Sequence, residues 1–432
     1  MSKACRVAVA GLGTVGAATV RLLQQQASLI EARAGRAIEV VAVSARRRNL
    51  ERDCDLATAE WYDDPTVMAR DAACDVVVEL IGGSDGVAKA MVEAALGAGR
   101  HVVSANKALL AHHGAALATQ AEAAGLALGY EAAVAGGIPI IKTLREGMAA
   151  NAVNRVYGIL NGTCNFILSN MRETGRDFEV VLAEAQALGY AEADPSFDVD
   201  GVDAAHKLSL LASLAFGSAV AFDQVYCEGI RGVTAFDIAS ADELGYRIKL
   251  LGVATRSDQG IEQRVHPAMV RKTAPIAAVE GVLNAVVAEG DFVGSIMAEG
   301  PGAGGDATAS AVVADVIDIA RGNLLPAFAV PASDLVAAKI LPMDKHWGSF
   351  YVRLTVLDRP GVIADIAAAL RDQAISVESL LQHGRANGKT APVSVVITTH
   401  ETTEAAMRRA LAEIALSEAV VEPPMVIRIE GL

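Results

Sequence analysis

The 432-residue sequence has few aromatic side chains, few cysteines and no long basic run. Aromatic residues make up 4% of the chain, so its cores must be largely aliphatic. The five cysteines form no CxxC pair, which is typical of reduced thiols and predicts a cytoplasmic protein. A net charge of −14 argues against the basic surface that nucleic-acid-binding proteins use.

Long hydrophobic runs are also missing, although hydrophobic residues make up 52% of the chain. The most apolar stretch, residues 208–222, contains serines and is shorter than the roughly 20 residues that cross a bilayer. The sequence therefore predicts no membrane partner. Only 20% of the residues are charged, and the hydrophobic residues are numerous enough to form several buried cores. This composition excludes global disorder.

The chain divides into three predicted domains joined by a short linker. In residues 1–131, strands alternate with helices, which predicts a Rossmann-type dinucleotide-binding domain with a parallel sheet. Residues 132–301 mix both element types and predict an α+β catalytic and dimerisation domain, after which a helix in 302–325 returns to the first domain. Pro326, Pro331 and Pro342 punctuate a predicted linker, 326–348.

Residues 349–432 have their own pattern of secondary structure. A strand, a helix, two strands, a helix and a strand predict a separate ferredoxin-like βαββαβ unit. The predicted fold class is therefore α/β for the molecule as a whole. In the middle domain, the apolar spacing predicts these helices: 138–147, 178–188, 202–216 and 242–251.

A glycine motif, GLGTVG at residues 11–16, lies between the first predicted strand and helix. Gly11 allows the turn, Gly13 allows the backbone to approach a pyrophosphate, and Gly16 allows the helix to pack on the strand. A tight turn without a ligand is the alternative. The second strand ends in Ser44 and then three arginines, where NAD-binding sites usually carry an acid. Arg46 therefore favours NADP over NAD, unless this is only a solvated basic loop.

Two lysines and an acid-rich loop are the candidates for catalysis. Lys107 follows the predicted strand 101–104, at the strand end where ligands bind. Asp203 and Lys207 are four residues apart, so they project from one face of a mostly apolar helix. An ordinary surface ion pair remains the alternative. His206 beside them is interpreted as a packing residue, because Lys207 already offers proton transfer. The preceding loop supplies four acids: Glu192, Asp194, Asp198 and Asp200.

Six further segments complete a resemblance that covers nearly the whole chain. They are SANK at 104–107, GILNGTCN at 158–165, EADP at 192–195, DGVDAAHK at 200–207, ELGYRIKL at 243–250 and DRPGV at 358–362. On the basis of these segments and GLGTVG, the sequence resembles homoserine dehydrogenase with a C-terminal ACT domain. The resemblance implies NAD(P)-dependent interconversion of L-homoserine and L-aspartate 4-semialdehyde, in the biosynthesis of threonine, methionine and isoleucine.

The resemblance also implies roles for individual residues. Lys207 exchanges the proton and Asp203 holds it, while Lys107 contacts the nicotinamide side and the reacting oxygen. Glu192 and Asp198 bind the substrate. Thr14, Val15 and Gly304 join the glycines around the cofactor. A sodium ion is implied at a site built from main-chain oxygens, which maps onto Glu131, Val134, Gly136 and Ile138.

The resemblance further implies a homodimer or homotetramer, with threonine as an allosteric effector at the ACT unit; isoleucine, or no ligand, is left open. Two other functions compete with this one. An ACT-bearing 2-hydroxy-acid dehydrogenase would need a His–carboxylate pair and an arginine clamp, which are not evident. A non-catalytic nucleotide-binding amino-acid sensor would not need the acids and lysines named above.

Overall fold

The computed structural model describes residues 3–337, 339–383 and 392–432. Its first sheet is fully parallel, in the order β3-β2-β1-β4-β5-β6. The strands are β1 (Cys5–Ala10), β2 (Ile38–Ser44), β3 (Glu60–Tyr62), β4 (Val76–Glu79), β5 (His101–Ser104) and β6 (Leu128–Gly129). This strand order is that of a doubly wound dinucleotide-binding fold, and it reverses direction between β1 and β4, where such folds bind their ligand. The predicted fold class is confirmed.

Crossover helices cover this sheet and bury aliphatic side chains against it. They are α1 (Thr14–Gln25), α2 (Ala27–Ala34), α3 (Pro65–Asp71), α4 (Val87–Gly97) and α5 (Lys107–Ala123). Helices α1 and α2 are separate helices that meet at Gln26. Helix α5 begins at Lys107, because the side chain of Asn106 caps it by accepting the N–H of Leu109 at 3.1 Å.

The middle of the chain adds a second sheet and further helices. Its strands are β7 (Val153–Ile159), β8 (Tyr226–Cys227), β9 (Tyr246–Ser257), β10 (Gly260–Arg271), β11 (Leu283–Gly290) and β12 (Gly294–Pro301). Its helices are α6 (Ala132–Ala135), α7 (Ile140–Lys142), α8 (Gly162–Thr174), α9 (Phe178–Ala187), α10 (Ser196–Val199), α11 (Val202–Phe216), α12 (Ala235–Glu243) and α13 (Gly305–Arg321). Helix α13 returns to pack against α1. Short 3₁₀ turns lie at Phe222–Gln224, Pro275–Ala278, Ala332–Asp334 and Met343–Lys345.

Two of the predicted middle-domain helices are wrong. Helix α12 ends at Glu243, and Gly245 then adopts a left-handed φ of +87° that turns the chain into β9. The charged side chains at 247 and 249 alternate with apolar ones, which is the period of a strand. In 138–147, only Ile140–Lys142 is α-helical, and a π-helical turn, Thr143–Gly147, follows.

The C-terminal region has the predicted βαββαβ order. Its strands are β13 (Trp347–Leu357), β14 (Val377–His383), β15 (Pro392–Thr399), β16 (Thr402–Thr403) and β17 (Met425–Glu430), and its helices are α14 (Val362–Asp372) and α15 (Glu404–Ile414). The sheet order β17-β13-β15-β14 is antiparallel, and both helices pack on one of its faces around a separate aliphatic core.

The sequence predicts a separate C-terminal unit, but in the structure its sheet continues the sheet of the middle domain. Strand β17 pairs in parallel with β10, so both form a single 11-stranded sheet. The predicted linker also packs closely: Phe328 is fully buried against Tyr130, and Ile340 bridges to Ile261. Proline spacing indicates turns in this segment, but it carries no information about what the turns pack against. None of the described helices is long and apolar enough to cross a membrane.

Candidate active site

The glycine motif forms a tight turn from β1 into α1. Gly11 has a left-handed φ of +93°, and a Cβ there would lie 2.4 Å from the carbonyl oxygen of Leu80. A Cβ on Gly16 would lie 1.9 Å from the carbonyl oxygen of Gly11, so α1 can approach β1 only through a glycine. Gly13 precedes α1 and has no atom within 4 Å of such a Cβ, which leaves open space where a ligand can come close.

A second helix begins beside this turn. Helix α13 follows Gly304, and a Cβ on Gly305 would lie 3.0 Å from the methyl group of Thr14. Neither α1 nor α13 has a side-chain cap, so the first N–H groups of both helices remain for an external acceptor. Two such helix ends beside one glycine turn favour a bound pyrophosphate.

A cleft of about 630 Å³ leads from these helix ends into the middle domain. Val15, Gly304 and Thr308 line one part of it, and the predicted catalytic residues Lys107, Asp203 and Lys207 line another. This volume is in the range of small-molecule and cofactor sites. The cleft therefore places the glycine turn and the lysine pair in one cavity.

Both lysines contact the same carboxylate. Lys207 Nζ donates to Asp203 Oδ2 at 2.8 Å and to the carbonyl oxygen of Leu160 at 2.7 Å, and Lys107 Nζ lies 3.0 Å from Asp203 Oδ1. Burial alone would raise the pKa of Asp203, but the two ammonium groups outweigh it and hold that pKa below its usual value. The carboxylate therefore stays ionised and keeps both amines in fixed positions.

Asn161, which the sequence analysis did not single out, links this centre to Asp198. Its Nδ2 donates to Asp203 Oδ2 at 2.9 Å and to Asp198 Oδ1 at 2.8 Å, while its Oδ1 accepts the N–H of Cys164 and caps α8. Burial raises the pKa of Asp198, and the hydrogen bond from Asn161 opposes that shift. An Asn at a strand end before a helix is typical of an N-cap, and this signal could have identified it.

His206 packs as the sequence analysis interpreted it. Its ring stacks on Phe222 with the centroids 4.0 Å apart, and its Nδ1 lies 3.1 Å from the carbonyl oxygen of Val202. Burial lowers the pKa of His206, so the imidazole is neutral at physiological pH. This neutral ring adds no charge beside Lys107.

Two predicted binding residues are not among those that line the cleft. Glu192 has an exposed side chain and is not among the residues that line the cleft. Arg46 is exposed just beyond the end of β2, and no hydrogen bond in the described part of the chain brings it to the glycine turn. Arg52 does reach the turn: its Nε donates to the carbonyl oxygen of Leu12 at 3.1 Å. The roles of Glu192 and Arg46 therefore stay predictions.

The residues predicted for sodium surround a buried bend beside the cleft. The carboxylate of Glu131 accepts the N–H groups of Ile141 and Lys142 at 2.8 and 2.9 Å, and burial raises its pKa to about 7. Val134 and Gly136 are buried, and Gly136 has a φ of +57°, while Ile138 follows the bend. Within residues 3–337, 339–383 and 392–432, no three His, Cys, Asp or Glu side chains group as metal ligands.

A doubly wound sheet, a glycine turn at its switch point and a lysine–carboxylate centre in the same cleft define a nicotinamide-dependent dehydrogenase. Three family models match the chain: the homoserine dehydrogenase NAD-binding domain at 11–131, the homoserine dehydrogenase domain at 139–317 and the ACT domain at 350–415. The chain belongs to the homoserine dehydrogenase family. It is an oxidoreductase, and neither alternative function is favoured.

Full-length relatives support this assignment. Homoserine dehydrogenase of Pseudomonas aeruginosa is 47% identical, with 100% of both chains covered, and that of Neisseria gonorrhoeae is 45% identical, with 100% of this chain and 99% of that one covered. A crystal structure of a homoserine dehydrogenase from Thiobacillus denitrificans matches with a TM-score of 0.92 and 44% identity, covering 99% of this chain and 98% of that one. A hyperthermophilic archaeal homoserine dehydrogenase in complex with NADPH matches 73% of this chain and 97% of its own, with a TM-score of 0.62 and 25% identity.

Proposed function

We propose that the cleft oxidises L-homoserine to L-aspartate 4-semialdehyde, and reduces the semialdehyde in reverse, with the nicotinamide ring next to the lysine pair. The observation that carries this proposal is the contact of Lys107 and Lys207 with the single buried carboxylate of Asp203. When bound, the cofactor supplies or takes up the hydride. The protein has to position the substrate oxygen and move one proton.

Lys207 is the proton-transfer residue in this mechanism. Asp203 and the carbonyl oxygen of Leu160 fix its Nζ, so the amine meets the substrate oxygen at one position. As hydride leaves C4 of homoserine, the proton of the C4 hydroxyl passes to the unprotonated Nζ of Lys207; in the reverse direction the resulting ammonium returns a proton to the developing alkoxide. Lys107 donates to the same oxygen and stabilises its negative charge. Asp198 and Glu192 hold the amino-acid end of the substrate.

The preferred cofactor in this proposal is NADPH. Strand β2 ends at Ser44 and presents no acid to a ribose 2′-hydroxyl, and the exposed guanidinium of Arg46 can meet a 2′-phosphate with two hydrogen bonds. The glycine turn, Thr14, Val15 and Gly304 bind the pyrophosphate through main-chain N–H groups.

A sodium ion at the bend around Gly136 is part of the same proposal. Main-chain oxygens of Glu131, Val134, Gly136 and Ile138 would hold it, and a hard cation takes such oxygens as ligands. The carboxylate of Glu131 already accepts two backbone N–H groups, so it orients the bend. The ion would keep the bend against Gly302, whose carbonyl oxygen a Cβ on Gly136 would meet at 2.5 Å.

Regulation and assembly complete the proposal. Residues 349–432 act as a regulatory domain that binds threonine, and two or four copies assemble through exposed sheet edges. Strands β12 and β14 are the two ends of the 11-stranded sheet and offer such edges.

The deciding experiment follows NADPH absorbance with aspartate semialdehyde as the substrate. Turnover is expected; absence of turnover with intact protein would refute the proposed reaction.

A further inference from the structure

A lysine outside the lysine–carboxylate centre is buried deep in the middle domain. Lys249 lies on β9, and its side chain is 2% exposed. Its Nζ donates to the carbonyl oxygen of Val279 at 2.5 Å and to Asn165 Oδ1 at 3.2 Å, and the carboxylate of Glu280 lies 3.6 Å away. Removing an ammonium group from water is costly, and an apolar side chain would fill a strand interior more cheaply. The proton-transfer mechanism above makes no use of this lysine.

The partner of Lys249 on α8 holds the same segment of chain. Asn165 is 1% exposed, and its Nδ2 lies 3.2 Å from each of two carbonyl oxygens, those of Val279 and Leu283. Lys249 and Asn165 thus bind the segment 279–284 at both of its ends. This segment connects the 3₁₀ turn Pro275–Ala278 to β11, and it ends in the wall of the cleft.

Asn284, at the end of this segment, is wedged between two glycines of the cleft. It is 1% exposed. A Cβ on Gly302 would lie 2.0 Å from its Nδ2, and a Cβ on Gly162 would lie 3.5 Å from its Oδ1. Asn284 also pairs with Gly300 in the β11–β12 ladder. Its Oδ1 is buried and has no hydrogen-bond partner within the described chain. The amide therefore spaces the glycine loop 300–304 from the start of α8.

We propose that Lys249 and Asn165 are positioning residues: they fix the segment 279–284, which through Asn284 sets the glycine loop 300–304 against the catalytic end of the cleft. This inference rests on the proposed function only in assigning the cofactor to that loop. Lys249 and Asn165 themselves are not among the residues that line the cleft. Movement of the segment would displace Gly302 and Gly304 together, because they lie on one short loop.

The first test replaces the amine by an apolar side chain of similar length. In Lys249→Met, we expect the Kd for NADPH, measured by fluorescence without substrate, to rise about tenfold, and kcat/KM for homoserine to fall by at least as much. Lys272→Met is the matched control, since Lys272 is an exposed lysine of the same domain. It should stay within about twofold of the wild type in both quantities. A similarly small change in Lys249→Met would overturn the proposal.

The second test remains informative if Lys249→Met is poorly folded. Gly302→Ala should weaken NADPH binding, because its Cβ collides with the amide of Asn284. Adding Asn284→Ala removes that amide, and the double variant should bind NADPH more tightly than Gly302→Ala alone. If the double variant binds NADPH no more tightly than Gly302→Ala, the proposed contact between Asn284 and the glycine loop is contradicted. Both tests read NADPH affinity directly, so a wild-type enzyme that binds NADPH but does not act on homoserine would refute the proposed reaction and leave this inference standing.

Discussion

At the scale of single residues, the site is organised around Asp203. The spacing of Asp203 and Lys207 predicted their shared helix face, because four residues make about one helical turn. The contact between Lys107 and Asp203 could not be predicted from spacing, since it depends on how α5 packs against α11. The same holds for Asn161, whose two acidic partners come from different helices.

Lys207→Ala tests the proton-transfer role. We expect turnover to be lost while NADPH still binds, because Lys207 contacts Asp203 and Leu160 and no part of the glycine turn. Steady-state kinetics and fluorescence titration measure the two effects. Lys89→Ala removes a lysine that pairs with Glu93 on α4, and it should leave both unchanged. A Lys207→Ala enzyme that keeps more than about a tenth of the wild-type kcat would exclude this role, since that loss is under ~1.4 kcal/mol.

Arg46→Ala tests the choice of cofactor. The KM for NADPH should rise much more than the KM for NADH, because only NADPH carries the 2′-phosphate that a guanidinium can bind. Arg47→Ala serves as the neighbouring control, and it should change neither value. Equal changes for both cofactors in Arg46→Ala would show that a different residue of the loop meets the phosphate.

Lys249 should also affect stability at alkaline pH. Burial lowers its pKa from 10.5 to about 8, despite the attraction of Glu280. Between these values the unfolded chain binds a proton that the folded chain has released, so this group's contribution to stability rises with pH. The unfolding free energy of the wild type, relative to that of Lys249→Met, should therefore increase by up to about 3 kcal/mol between pH 7 and 10.5. A difference that is flat with pH, in chemical denaturation, would contradict the buried charge.

At the scale of elements, local signals predicted the first domain better than the second. Strand β5 has its predicted bounds, 101–104, because it is a short apolar run that a turn follows at once. Strands β11 and β12 were not predicted, although they carry Asn284 and lead into Gly302. In 242–251 the apolar residues also suit a helical face, and only Leu244 and the left-handed Gly245 separate α12 from β9.

The junction of β1 and α1 gives a matched pair of glycine substitutions. Gly16→Ala should lower both stability and NADPH affinity, because its Cβ meets the carbonyl oxygen of Gly11 at 1.9 Å. Gly13→Ala should keep the stability of the wild type, since no atom lies within 4 Å of a Cβ at this position and the backbone φ is −76°. It should nevertheless lose NADPH affinity, because the added methyl group occupies the space that the pyrophosphate needs. Thermal melts and fluorescence titrations separate the two effects. Unchanged NADPH affinity in Gly13→Ala would place the pyrophosphate elsewhere.

At the scale of the whole molecule, the ACT domain shares one sheet with the middle domain. Glu430 on β17 accepts from Arg264 at 2.9 Å and from Arg155 at 2.8 Å, and all three side chains are largely buried. Arg428 pairs with Glu404 and with Glu228, next to β8. The βαββαβ pattern predicted the fold of this region. Its attachment could not be predicted, because a parallel pairing of three residues leaves no periodic signal in either strand.

Removing the ACT domain should therefore lower stability, and under the proposed function it should also abolish inhibition by threonine. A chain ending at Asp344 lacks Glu430, so Arg155 and Arg264 lose their shared carboxylate and β10 loses a pairing strand. Because these ion pairs and the β10–β17 pairing are lost together, we expect a lower melting temperature. None of the cleft residues is removed, so the shortened enzyme should still bind NADPH and turn over below that temperature.

Inhibition by millimolar threonine should be present in the full chain and absent from the shortened one, because allostery requires a second site whose ligand distinguishes two states. Equal inhibition of both would place the effector in the cleft or the middle domain, and an unchanged melting temperature would show that β17 contributes little to the catalytic sheet.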